Sequence, residues 1–304
     1  MQDFLSLVRY KDQVLSLDSA LSFSQGNPAG PAALLTLLHP AKGSYTGVVT
    51  ADSNQPPLLG QVVHRVKERA ARLTFLMPED AACPPQLTYL LDELICQTGE
   101  MGALNLLADI DESHPAFTCL RQAGFSVYGW QAVWKLPSSC EAGKDEWTKA
   151  TPIDEIPIRN LMQSIIPPLI QTAEPVQTGH LNGWLIRREG DVVAYVQVIE
   201  GPAGIFLRPV FHPMVEDVRG LICALPRHYS QNGRSLYLAV QSYHAWLEGI
   251  LAEIGAENKI RSAMLVKYLV NPVRSAVAER RAVAEKQRTQ PTASMQNASR
   301  RHDG

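Results

Sequence analysis

The stretch WLEGILAEIGAENKIRSAMLVKYL (246–269) repeats a pattern already present in AFTCLRQAGFSVYGWQAVWKL (116–136). In each, apolar residues at helical spacing lead to a glycine, and the glycine opens a β-rich run. Ala116, Cys119, Leu120 and Ala123 stand against Leu247, Ile250, Leu251 and Ile254. Both sets follow the i, i+3, i+4, i+7 rule of a one-sided helix. Gly255 takes the position just past a helix, where only glycine enters the left-handed region freely.

Working outward, a shift of 131 residues extends the match. Leu107 and Ala108 fall on Leu238 and Ala239, and Phe75, Leu76 and Pro78 on Phe206, Leu207 and Pro209. A shift of 130 places Gly60, Val62, Val63 and Val66 on Gly190, Val192, Val193 and Val196. A second helical face, Leu87, Leu90, Leu91 and Leu94, lands on Val218, Leu221, Ile222 and Leu225. Two faces kept in register argue for a structural repeat.

Each copy reads in one order. The second copy opens with GWLIRREGDVVAYVQV (183–198), two β-rich runs around Glu189-Gly190-Asp191, a hairpin signal. A strand over 205–210, a helix over 214–228, a strand over 235–240, a helix over 243–254 and last strands to about Leu269 follow. The first copy predicts strands near 44–50, 60–68, 72–77 and 103–109, with helices at 86–97 and up to about Gly124. Asp111 or Ser113 is the expected cap of the latter helix, with Pro115 in its first turn. The polar stretch PSSCEAGKDEWTKA (137–150) reads as a linker. The expected division is 1–137, a linker over 138–150, 151–271, and a basic disordered tail over 272–304.

Net charge is -2, with 28 Lys/Arg against 30 Asp/Glu, which gives no overall attraction for nucleic acid or an acidic membrane. Residues 273–304 are net +4, yet no aromatic is interleaved with their cations, which argues against a single-strand nucleic-acid platform. No apolar run approaches the roughly 20 residues that span a bilayer, and MQDFLSLVRYKDQVL lacks the pattern of a signal peptide. The five cysteines form no C-x-x-C pair, which suits buried thiols in a reducing cytoplasm. The eight histidines form no metal-ligand grouping, so no metal is expected.

Hairpin, strand, helix, strand, helix and final strands, together with the two Gly-Phe/Gly-Ala segments quoted above, resemble the GNAT superfamily of N-acetyltransferases. IPPLIQTAEP (166–175) is similar to a stretch before the hairpin in tandem GNAT-like proteins of bacteria. The resemblance implies an α/β fold of the mixed-sheet (α+β) kind, two tandem GNAT-like acyl-CoA N-acyltransferase domains. It implies acetyl-coenzyme A (acetyl-CoA) as co-substrate, lying in a splay between the two central strands. Its pyrophosphate is expected at the start of the helix that follows. The implied acceptor is an amine, on a small molecule or a peptide. The sequence leaves oligomerisation open.

The parts that handle chemistry are less complete. In place of the family's Q/R-x-x-G-x-G/A loop, the first copy has MPEDAACPPQL (77–87), whose three prolines delete N–H donors. The second has LRPVFHPMVEDVRGL (207–221), where Leu207, Arg208, Val210, His212, Arg219 and Gly220 are the coenzyme-binding candidates. Glu216 and Asp217 oppose an anion there, or simply favour the helix dipole. The family's Tyr, four residues before the Gly, is replaced by Leu120 and Leu251. Tyr243 and His244 are then the candidate proton donors, or aromatic packing at a helix start. Glu174 is the candidate base, or an exposed loop residue. Two readings stand: an acetyltransferase with an active second copy, and a non-catalytic GNAT-fold binding or scaffold protein.

Overall fold

The computed structural model describes residues 13–28, 43–50, 57–65, 68–79, 85–141, 143–176, 182–229 and 233–269. The tail over 272–304 lies outside them. The first half contains β1 (Leu15–Ser16), α1 (Ser19–Gln25), β2 (Ser44–Val49), β3 (Leu58–Val63), β4 (Ala70–Met77), α2 (Pro85–Glu100), β5 (Asn105–Ile110), α3 (Pro115–Gln122) and β6 (Ser126–Lys135). After a short β7 (Thr148–Lys149) come α4 (Glu155–Ile165) and α5 (Pro168–Ala173). The second half continues with β8 (Gly183–Arg188), β9 (Asp191–Glu200), β10 (Gly204–Phe211), α6 (Val218–Ala224), β11 (Ser235–Gln241), α7 (Leu247–Glu253) and β12 (Glu257–Tyr268). Among the described residues no helix is long and apolar enough to cross a membrane.

The repeated faces are the core. Leu87, Leu90, Leu91 and Leu94 of α2 are buried, and so are Val218, Leu221, Ile222 and Leu225. Gly60 lets α2 come down onto β3, since a Cβ there would lie 2.8 Å from Leu76 and Leu94. The hairpin turn has positive φ at Glu189 (52°) and Gly190 (95°), as a two-residue turn matched to strand twist requires. Gly124 and Gly255 follow α3 and α7 with φ of 85° and 75°.

One mixed sheet of twelve strands joins the described residues, in the order β2-β3-β4-β5-β12-β6-β11-β10-β9-β8-β7, with β1 on β4. The order shows an exchange. β6 ends the first half but pairs with β11 of the second, Trp134 opposite Leu238. β12 ends the second half but pairs with β5 of the first, Leu265 opposite Ala108. The two exchanged strands then pair with each other at the centre. α1 crosses over too: Phe23 packs on Phe206 and Tyr237 of the second half. Gly201 permits the approach, since a Cβ there would lie 2.1 Å from the Ser24 carbonyl oxygen.

Four expectations are corrected. The shift of 131 holds for β5 and β11 but not for the strands before them. Leu107 lies opposite Arg72 and Leu238 opposite Leu207, so Leu207 is the counterpart of Arg72, not of Leu76. The connection from β4 to β5 (78–104), helix included, is four residues longer than that from β10 to β11 (212–234), and matching by residue type slid across that difference. Second, α3 is capped by His114, whose Nδ1 accepts from the Ala116 N–H at 3.1 Å. Asp111 instead binds the N–H and hydroxyl of Ser113. Third, the stretch read as a linker is fastened to the second half. Trp147 is buried and donates its indole N–H to the Leu221 carbonyl at 2.9 Å. Fourth, not all cysteines are thiols: Cys140 is bonded to Cys223, with Cα atoms 5.5 Å apart, and Cys119 is also in a disulfide.

The exchange predicts that neither half folds alone, because each would expose a central strand edge. Fragments 1–137 and 138–269 should aggregate when produced singly and form a soluble one-to-one complex when co-expressed. A soluble, cooperatively unfolding single fragment would contradict this.

Candidate functional site

In each half a parallel pair of strands parts midway. β4 and β5 are paired from Ala70/Asn105 to Arg72/Leu107, and β10 and β11 from Gly204/Ser235 to Leu207/Leu238. Beyond those points the strands diverge, and their backbone groups need other partners. In the first half the chain's own segment supplies them. Leu15 and Ser16 pair with Leu76 and Phe75. The Leu17 N–H donates to Thr74 O at 2.9 Å, and the Asp109 N–H donates to Leu17 O at 2.8 Å. The Ser19 N–H reaches the Asp109 carboxylate at 3.2 Å. The first opening is therefore filled.

No strand among the described residues enters the second opening. It faces a cavity of about 70 Å³ between α4–α5 and the sheet, room for a handful of waters or a small functional group. Glu174, Arg208, Val210, Gln241 and Tyr243 line it, with Ile166 and Ile170 as its apolar wall. Thus four of the candidates, Glu174, Arg208, Val210 and Tyr243, are brought together.

Glu174 is placed by its neighbours rather than by its own loop. The Asn105 side chain donates to the carbonyls of Thr172 and Ala173 at 3.0 and 2.8 Å, which anchors the end of α5. One carboxylate oxygen is ion-paired with Arg72 of the first half, and with Arg208 of the second at 3.0 Å. The other accepts from the Tyr128 hydroxyl at 3.2 Å. Burial pushes the Glu174 carboxyl up, but Arg72 and Arg208 outweigh it and hold the group at about 2. Burial, reinforced by Glu174, holds the Tyr243 phenol well above its ordinary value, so it stays protonated.

The other candidates lie elsewhere. Leu207 is fully buried in the second core. His244 is buried behind the cavity, its Nε2 3.3 Å from the Phe211 amide, and burial lowers its pKa toward the neutral ring. Arg219 points to solvent. The Gly220 N–H is already taken by the Asp217 carboxylate at 2.9 Å. His212 lies on a separate groove of about 1030 Å³, with Lys144, Glu146, Glu216 and Asp217 on its walls. Residue-type reasoning missed Arg72 and Tyr128. A lone arginine inside the apolar run AARLTFLM was the available signal for the first.

Removing Glu174 leaves two largely buried guanidinium groups without their shared carboxylate. Glu174→Ala should cost about 3–5 kcal/mol in denaturant unfolding. The carboxyl is depressed from 4.5 to about 2 in the folded state, so its contribution is complete above pH 4.5. It is lost as pH falls from 4.5 toward 2. The stability gap between wild type and Glu174→Gln should narrow across that window, and a pH-independent gap would contradict the assignment.

No family model matches the chain, and no curated protein does either. Among solved structures it is similar to a GCN5-related N-acetyltransferase from Sphaerobacter thermophilus, at 12% identity over 84% of this chain and 96% of that one, with a TM-score of 0.54. It is also similar, more loosely, to a tandem GNAT protein from the clavulanic acid biosynthesis pathway (12% identity, 88% and 93% covered, TM-score 0.49). A GNAT-family acetyltransferase from Colwellia psychrerythraea is looser again (12%, 88% and 97%, TM-score 0.46). At such identity the likeness concerns the fold. The chain has the fold of the GCN5-related N-acetyltransferases, built from two copies that exchange their last strands.

Proposed function

We propose that the chain transfers an acetyl group from acetyl-CoA to an amine, using the second half, while the first half is structural. One observation carries this reading: the second strand opening gives onto a cavity bearing Tyr243, Arg208 and Glu174, and the first is closed by Leu15–Ser19.

The opening suits the slender thioester end of the donor, which would supply the activated acetyl group. Tyr243, held as the phenol, is the residue able to return a proton to a departing thiolate. Glu174 is a weak base at about 2 and acts instead by holding Arg208 at the cavity wall. The start of α6 suits the pyrophosphate poorly, because Asp217 already fills the Gly220 N–H and brings negative charge. Weak donor binding follows from that occupied amide.

Calorimetry of the full chain with acetyl-CoA tests the proposal. One weak site per chain is expected, and no heat at millimolar ligand would overturn it. Asp217→Asn should tighten binding by roughly two- to fivefold, the scale of one charge at a helix start. With a panel of amines, Tyr243→Phe should keep donor binding and slow thiol release by about 10²-fold or more. An unchanged rate would remove Tyr243 from the chemistry.

A further inference from the structure

The large groove has one wall that is fastened covalently. Lys144 and Glu146 on that wall belong to the stretch between Cys140 and Trp147, which runs along α6. At one end Cys140 is bonded to Cys223 within α6. At the other, Trp147 is buried in the second core and bonded to Leu221. Between these points no described side chain is buried. Only polar ties remain: a long Gly143 N–H bond to the Gly220 carbonyl at 3.3 Å, Asp145 with His228 at 3.2 Å, and Glu146 with Arg188. Exposed ion pairs of this kind hold a segment by a kcal/mol or less. Without the disulfide, nothing apolar would keep Gly143–Glu146 against the helix.

We propose that Cys140–Cys223 is a redox latch on this groove. Oxidised, it presses Gly143 against the start of α6, where a Cβ on Gly143 would lie 2.5 Å from the Asp217 carboxylate. Reduced, it frees the wall that carries Lys144 and Glu146 and uncovers the Gly220 carbonyl beside Asp217. The reductant is a dithiol. It gives two electrons and two protons, the S–S bond breaks to two thiols, and the dithiol leaves as its own disulfide. The stable fold on either side is untouched, because Trp147 and Leu136 remain anchored in the core. The device follows from the fastening alone and holds whatever the groove accepts.

Amide hydrogen exchange on the full chain, read by mass spectrometry, tests it. Dithiothreitol should speed exchange in peptides covering 140–147 by at least about tenfold, while strands β6 and β12 keep their protection. Cys119 is also in a disulfide, so Cys140→Ser isolates the latch. That variant should exchange fast in the same peptides with or without dithiothreitol. Three results would overturn the proposal. One is slow exchange in every state. Another is loosening that extends to β6 and β12. The third is alkylation of Cys140 and Cys223 by iodoacetamide before any reductant is added.

Discussion

A strand inside a sheet must find partners for its N–H and C=O groups on both edges. Here β5 and β11, the inner strands of the two parallel pairs, find one of those partners in the other half of the chain. Everything central to the molecule depends on that exchange. It makes one sheet of two copies, it fixes how the halves face each other, and it brings Arg72 and Tyr128 of the first half to Glu174 of the second. A pair of independent domains on a flexible linker would have no reason to bury such a group of charges.

The charges in turn explain why the two openings differ. Glu174 closes over Arg72 and Arg208 at the junction, so the second opening keeps a polar wall and a small cavity. The first opening is filled by Leu15–Ser19, and the chain then carries α1 across onto the second half. One N-terminal segment thus satisfies the diverging strands of one copy and covers the sheet of the other. Burial alone would raise the Glu174 carboxyl, and two guanidinium groups reverse the sign. Held by Arg72, Arg208 and the Tyr128 hydroxyl, the carboxylate ties the two halves together beside the cavity.

The segment after β6 shows the same economy. A polar composition with glycine and serine reads as a free connection, yet one tryptophan and one disulfide are enough to lay it along α6. It then supplies a wall to the groove of about 1030 Å³ that His212 lines. Position relative to a helix start, rather than composition, decides what these residues do.

Much of the fold was legible in the residues themselves. Helical faces such as Leu87–Leu94, the Glu189-Gly190 turn and the glycines after α3 and α7 follow from local rules, because spacing and positive φ act over a few residues. Glu174, Arg208, Val210 and Tyr243, singled out through the family resemblance, line one cavity. The local rules could not register the hairpin strands of the two copies, because the connection from β4 to β5 is four residues longer than that from β10 to β11 and apolar residue types recur at that distance. Nor could they show that β6 and β12 change places, that Asp217 occupies the amide of Gly220, or that Arg72 meets Glu174 across 102 positions of chain. Those are pairings between groups far apart in sequence. Backbone edges, buried charges and sulfur atoms take whichever partner the folded chain sets beside them, and only the tertiary structure decides which that is.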